Sequence, residues 1–118
     1  MDIWENGKYK NIWIYPKETE EDEQVMMAFI NGDYGWLMYL RENGDSGFSS
    51  RNPNYKGTED SNDRMDFMLS NGQLDYYPLS YVLPVEQVIK ALDYFEKNHK
   101  LPEFITWHDD AFLSFAFT

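Results

Sequence analysis

The chain has no cysteine among its 118 residues, and it has only ten Lys and Arg residues against 21 Asp and Glu. The lack of cysteine excludes disulfides, thiolate catalysis and cysteine-bound zinc, and it fits a reducing compartment. No apolar run approaches the length of a membrane helix. Residues 1–5 lack the basic and apolar regions of a signal peptide. We therefore expect a cytoplasmic protein without membrane contact.

The scarcity of basic side chains gives a formal net charge of −11 at pH 7. A chain this acidic repels phosphate backbones, so we expect no direct binding to nucleic acid. It attracts basic proteins instead, and complementary charge speeds encounter and selects partners. The same acidity also favours solubility, and net charge alone does not separate the two roles.

Motifs that carry catalytic chemistry are scarce as well. His99 and His108 are the two histidines, and His108-Asp109 resembles the pair of metal phosphohydrolases, but those sites need further ligands. A surface turn with an acidic end is the simpler interpretation. Residues 60–63 resemble a calcium loop without its glycine and its terminal glutamate. No phosphate loop, nucleophile elbow or dinucleotide fingerprint is present. We expect no enzymatic activity, cofactor, metal or small-molecule substrate.

Most of the chain has the alternation and the turn signals of antiparallel strands. Strands are predicted over residues 11–15, 25–30, 36–40, 47–50, 65–69, 74–77, 104–107 and 112–118. Asn31-Gly32 and Asn71-Gly72 each predict a hairpin, because Asn-Gly permits positive φ at both turn positions. Residues 108–111 would form the turn between the last two strands.

One amphipathic helix is predicted, over about residues 84–97. Pro84 suits the first helical position, and Pro102 prevents any continuation. An apolar stripe at helical spacing faces the core; it consists of Val85, Val88, Ile89, Leu92 and Phe95. Residues 1–118 are long enough for a single domain. The predicted fold is α+β, a twisted antiparallel sheet of about six strands covered by this helix.

The residues from Gly72 to Asp110 follow a recognisable succession: a loop with a proline, a helix opening Pro-Val-Glu-Gln, an aromatic near the helix end and a strand ending in Trp and acids. The residues that carry it are Pro84, Val85, Glu86, Gln87, Ala91, Leu92, Phe95, Pro102, Trp107, Asp109 and Asp110. This succession resembles the Imm1 family of bacterial immunity proteins. The resemblance implies that the chain binds and neutralises a toxin of a polymorphic toxin system, often a nucleic-acid deaminase or nuclease.

Two acidic clusters are the candidate contacts with such a basic toxin. The first acidic cluster comprises Glu20, Glu21, Asp22 and Glu23; the second comprises Glu59, Asp60 and Asp63, with Asp66 close behind. They would imitate the phosphates of the toxin's nucleic acid, while exposed aromatics fill pockets. A merely solvated face is the alternative for each acid. Trp107 is a core anchor in one interpretation and a toxin contact in the other.

Two other classes of function remain open at this stage. A small-ligand-binding or enzymatic α+β domain would have a deep cavity with convergent polar groups. An adaptor subunit of a constitutive complex would expose a large flat apolar patch.

Overall fold

The computed structural model describes residues 1–16, 24–42, 44–57 and 63–110. They fold into an antiparallel sheet, a separate two-stranded ribbon, an α-helix and a short 3₁₀ turn at Leu79–Tyr81. Within these ranges no helix has the length and apolar character needed to cross a membrane. The strands and the helix are β1 (Asp2–Asn6), β2 (Tyr9–Ile14), β3 (Val25–Asn31), β4 (Tyr34–Leu40), β5 (Phe48–Arg51), β6 (Arg64–Met68), β7 (Leu74–Pro78), β8 (Leu83–Pro84), α1 (Val85–Asn98) and β9 (Thr106–Asp109).

The main sheet has the strand order β1-β2-β3-β4-β5-β9, and its pairs are antiparallel. One side of β4 is shared, because β5 pairs with Met38 and Tyr39 whereas β8 pairs with Tyr34 and Gly35. The predicted α+β class and the antiparallel sheet are confirmed. β1 is a strand that the sequence analysis does not predict.

The predicted hairpin at Gly32 is confirmed, but its turn is shifted by one residue. Asn31 pairs directly with Tyr34, so Gly32 and Asp33 are the two turn residues. Gly32 has a φ of 59°, and Asp33 is not among the residues with positive φ. Glycine at the first turn position matches a type II′ turn. Asn31 consequently remains in β3.

Helix α1 covers one face of the main sheet with most of the predicted stripe. Val88, Leu92 and Phe95 are buried against residues of β2, β3 and β4. Ile89 is 49% exposed, so its assignment to the core is wrong. Ala91 is fully buried instead and belongs to the core between the helix and the sheet.

The helix begins one residue later than predicted. Pro84 is the N-cap residue and pairs with Tyr34, so it belongs to β8 and not to the first turn of α1. Val85 donates its N–H to the carbonyl oxygen of Asp33 at 2.8 Å, which ties the start of the helix to the β3–β4 turn. The helix ends at Asn98, and His99, the C-cap residue, has a left-handed φ of 56°.

The opposite face of the main sheet is covered by the outer ribbon, which we define as the hairpin of β6 and β7. Phe29 and Trp36 stack there with ring centroids 4.8 Å apart, and Phe67 is fully buried over them. Neighbouring strand residues such as Ala28 and Leu37 belong to the core under α1. Because successive strand residues point to opposite faces, the helix and the ribbon lie on opposite sides. The sequence analysis predicts only the helical cover.

The last described strand lies further along the chain than predicted. β9 spans Thr106–Asp109, whereas the sequence analysis places a strand at residues 104–107 and a turn at residues 108–111. The register is set by pairing with β5, in which Ser50 opposes Trp107 and Ser49 opposes His108. The predicted strand at residues 112–118 lies outside the described residues.

Candidate partner-binding surface

Most of the predicted contact residues cannot be placed on the fold. Glu20, Glu21, Asp22, Glu23, Glu59 and Asp60 lie outside the described residues. Asp63 is described, and its side chain is exposed at the start of β6. One carboxylate oxygen accepts a hydrogen bond from the hydroxyl of Tyr55 at 3.2 Å. The carbonyl oxygen of Asp63 also accepts from Leu79 N at 3.0 Å, so its backbone is fixed.

The described residues that flank the two acidic clusters lie at opposite ends of the sheet. Gln24 follows the first cluster and precedes β3, and its side-chain amide donates to the hydroxyl of Tyr39 at 2.8 Å. Asp63 leads into β6, which crosses the far end of β3, where Asn31 contacts Asp66. The six steps from Val25 to Asn31 span about 20 Å at the usual rise of a strand. The fold therefore does not bring these two anchor points together.

A tyrosine and an aspartate join the main sheet to the outer ribbon beside Asp63. The hydroxyl of Tyr9 donates a hydrogen bond to a carboxylate oxygen of Asp66. Asn31 Nδ2 donates to the backbone oxygen of Asp66 at 2.8 Å. Donation from Tyr9 lowers the pKa of Asp66, against the opposing effect of desolvation. The same hydrogen bond, with help from desolvation and the nearby negative charge, raises the pKa of Tyr9. Asp66 thus keeps its charge at neutral pH.

The outer face of the ribbon carries exposed apolar surface next to this charge. Tyr76 is 60% exposed and pairs with Asp66, and Leu74 is 40% exposed and pairs with Met68. Tyrosine contributes large contact area at interfaces, and a neighbouring carboxylate adds selectivity for basic partners. We define the ribbon surface as Asp66, Leu74 and Tyr76 on this face, together with the exposed Asp63, which leads into β6. The sequence analysis misses Leu74 and Tyr76, although strand alternation in residues 74–77 indicates that one of the two adjacent tyrosines faces outward.

Two clefts are lined by described residues, and one of them borders the ribbon at Met65. One, of about 310 Å³, is largely apolar and is lined by Tyr34, Asn52, Tyr55, Met65, Leu79 and Val82. The other, of about 280 Å³, lies between β9 and the start of α1 and includes Arg51, Asn52, Gln87 and Thr106. Pockets for drug-sized ligands occupy roughly 300–1,000 Å³. Both volumes lie near the lower end of this range, and each cleft has room for a side chain of a partner.

Trp107 packs against the core under the helix. It is half-buried, and its indole N–H donates to the carbonyl oxygen of Pro102 at 2.9 Å. This geometry is that of the core anchor considered in the sequence analysis, since a buried indole needs a hydrogen-bond acceptor.

The His108-Asp109 pair does not form in the way its sequence suggests. His108 Nδ1 lies 3.0 Å from a carboxylate oxygen of Asp110, and Ser49 Oγ donates to that same oxygen at 3.0 Å. His108 belongs to β9 and not to a surface turn. Across the described ranges, no group of three or more His, Asp or Glu side chains is arranged to hold a metal ion.

Comparison with known proteins places the whole fold in context. The model of a family described as immunity protein Imm1 matches residues 12–109, which is more than half of the chain. The matched region runs from β2 to β9 and so includes both covers of the main sheet. No curated protein matches the chain.

Proposed function

Because the chain belongs to the Imm1 family of immunity proteins, we propose that it binds a cognate bacterial toxin and neutralises it by covering its substrate-binding face. The family match carries this proposal. The protein works by occupying a surface, so it needs no catalytic group of its own. Residues on the ribbon surface make contact with the toxin.

Charge supports a basic partner of this kind. Residues 17–23 contain one Lys and five acids, for a net charge of −4, and residues 58–62 contain two acids, for −2. These two stretches therefore hold −6 of the total of −11. Concentrated charge of one sign raises the rate at which a protein of opposite sign is captured. A toxin that binds nucleic acid has such a basic surface.

The toxin of this proposal is a nucleic-acid deaminase or a nuclease of a polymorphic toxin system. Deaminases take the target base out of the stack into a pocket, and nucleases hold the phosphate backbone in a basic groove. Either surface is blocked when an acidic protein with protruding aromatic side chains lies across it. Tyr76 is the described side chain best placed to enter such a pocket, because it is 60% exposed on the ribbon.

Co-expression tests the proposal directly. The toxin to use is the product of the gene adjacent to this one, induced in a sensitive host with and without the chain. Growth should be restored by the wild-type chain, and a purified mixture should elute as one complex. Continued killing in the presence of well-folded, abundant chain would count against the proposal.

Charge reversal then locates the contact. Asp63→Lys should slow association with the toxin, most strongly at low salt, because exposed charges are screened as ionic strength rises. Glu96→Lys is the matched control, since Glu96 is exposed on α1, on the opposite face of the sheet. The quadruple replacement of Glu20, Glu21, Asp22 and Glu23 by Lys tests the first acidic cluster in the same way. Equal association rates for Asp63→Lys and Glu96→Lys would remove the ribbon surface from the proposal.

A further inference from the structure

We infer that the outer edge of β7 is a strand-addition site, at which an extended basic segment of the toxin joins the ribbon as a third strand. This inference rests on the proposed function and specifies how the toxin is held. It follows from the direction of the backbone groups in the two ribbon strands.

Two side-chain amides of the main sheet show where the backbone groups of β6 point. Asn31 Nδ2 donates to the carbonyl oxygen of Asp66 at 2.8 Å, and Asn11 Nδ2 donates to that of Met68 at 2.9 Å. Both carbonyl groups therefore point towards the main sheet and away from β7. The amides occupy the place that a neighbouring strand would take along this side of β6.

The pairing of β6 with β7 shows where the backbone groups of β7 point. Paired residues of antiparallel strands either exchange hydrogen bonds or direct their backbone groups away from each other, in alternation. Asp66 pairs with Tyr76, and Met68 pairs with Leu74. The backbone groups of Asp66 and Met68 point away from β7. The N–H and C=O groups of their partners Tyr76 and Leu74 therefore point away from β6. These groups form the outer edge of the ribbon.

This edge is open within the described part of the chain. The ribbon consists of β6 and β7 alone, and no described strand pairs with the outer side of β7. The hairpin connection agrees with the alternation, since Leu69 N donates to the carbonyl oxygen of Gln73 at 2.8 Å. Pro78 has no N–H, so the donors of the edge are those of Leu74 and Tyr76. An open edge with unpaired donors and acceptors is a template for a further strand.

The side chains along the edge select a basic occupant. Residues 63–78 contain three acids and one basic residue, Arg64, for a net charge of −2. Asp75 lies between the two outward-pointing residues, on the face of the ribbon that looks towards the main sheet. Leu74 and Tyr76 present apolar surface on the other face. The added strand should therefore alternate, with apolar residues beside Tyr76 and Lys or Arg beside Asp75.

Amide hydrogen exchange on the complex with the cognate toxin tests this geometry. The backbone N–H groups of Leu74 and Tyr76 should exchange readily in the free chain and become protected when the toxin binds. The N–H groups of Met65 and Phe67 should be protected in both states, because they pair within the ribbon. Binding without protection at Leu74 and Tyr76 overturns the strand addition but leaves the proposed function intact. Failure of the toxin to bind at all overturns both.

A pair of variants at one position separates the backbone from the side chain. Tyr76→Pro removes an outward N–H without removing a bond between β6 and β7, whereas Tyr76→Ala removes the side chain and keeps the N–H. Proline is tolerated where an edge N–H faces solvent. Tyr76→Pro should bind the toxin about tenfold more weakly than Tyr76→Ala, as expected for one lost hydrogen bond. Equal affinities of the two variants would contradict the inference.

Self-association is the competing use of an open edge. Sedimentation of the chain alone should show a monomer, with Leu74 and Tyr76 unprotected at every concentration. Concentration-dependent protection of those two amides would assign the edge to a second copy of the chain instead. The unfolding midpoint of each variant shows whether it is folded. If Tyr76→Pro does not fold, the same comparison is made between Leu74→Pro and Leu74→Ala.

Discussion

The side-chain amide of Asn11 donates to the carbonyl oxygen of Met68 across 2.9 Å, and this contact joins β2 to the outer ribbon. Asn11 is 2% exposed, so the amide is out of contact with water. The Nδ2 group of this buried amide is matched by the unpaired side of β6, whereas its Oδ1 atom has no hydrogen-bond partner among the described residues. The hydrogen bond therefore fixes where the ribbon lies on the main sheet.

Asn11→Ala should destabilise the fold by about 1–3 kcal/mol, since it leaves the carbonyl oxygen of Met68 without its partner. The free energy of unfolding in urea measures the effect. Asn6→Ala is the control, because the Asn6 amide is exposed and donates to the thioether sulfur of Met68, a weak acceptor, at 3.7 Å. That control should change stability by no more than about 0.5 kcal/mol. Equal losses for the two variants would show that Asn11 does not hold the ribbon.

Tyr9→Phe should raise the pKa of Asp66. The Tyr9 hydroxyl is the first cause of the lowered pKa of this carboxyl group, and the variant removes it. A carboxyl whose pKa is lowered by folding stabilises the folded state at pH values above its pKa in the unfolded chain, which is near 3.9. This stabilisation is lost as the pH falls through the pKa of the folded state. The stability difference between wild type and Tyr9→Phe should accordingly shrink in acid.

An NMR titration of the Asp66 carboxyl group measures this shift. Tyr15→Phe is the control, because Tyr15 is 51% exposed and follows the end of β2. The prediction is wrong if the Asp66 titration midpoint is the same in Tyr9→Phe as in the wild type.

Gly35→Ala should destabilise the protein by about 1–3 kcal/mol through overpacking. A Cβ atom at this position would lie 2.9 Å from the carbonyl oxygen of Phe29 and 3.2 Å from Cγ2 of Val88. The Phe29 oxygen cannot move without disturbing the pairing of β3 with β4, and the Val88 contact would in addition push α1 away from the sheet. Glu96→Ala is the control, because Glu96 is exposed on α1 and a surface substitution of this kind changes stability by no more than about 0.5 kcal/mol. The midpoints of thermal unfolding of both variants test the prediction, and equal midpoints would contradict it.

Asp45→Asn should make the unfolding free energy less dependent on pH in acid. The Arg41 guanidinium donates to both carboxylate oxygens of Asp45 at 2.9 Å, and this holds the pKa of Asp45 well below its usual range. The stabilisation is complete above the unfolded pKa, near 3.9, and it is lost as the pH falls further. Urea unfolding from neutral pH down to about pH 2 measures the slope. Glu96→Gln, an exposed acid on α1, serves as control, and an identical slope in wild type and Asp45→Asn would refute the assignment.

Local patterns predict the strands and the helix well because they report on burial at short range. Residues 25–30 form a continuous apolar run because their strand is covered on both faces, and the helical spacing of Val88, Leu92 and Phe95 follows from one face meeting the core. The assignment of Ile89 to the core is wrong because spacing alone does not show how much of the helix surface contacts the sheet. The placement of Pro84 in the first turn of the helix is wrong because Pro84 lies in β8 and pairs with Tyr34 of the distant strand β4.

The candidate surface is harder to predict, because exposure depends on what covers each strand. Acidic clusters are visible in the sequence, yet whether they lie near each other depends on the path of the whole chain. Tyr76 and Tyr77 are adjacent and chemically identical, and one is 60% exposed while the other packs against Trp36. The ribbon's position, set by Asn11 and Asn31, makes that difference.

The sequence by itself determined the α+β class, the amphipathic helix, the acidity and the resemblance to Imm1, because each depends on composition or on the order of residues close together in the chain. Only the tertiary structure decided that the β6–β7 hairpin covers the sheet opposite α1 and leaves the backbone groups of Leu74 and Tyr76 facing outward. The physical reason is that direction along an edge is fixed by the register between strands, and register arises from contacts between residues far apart in the chain.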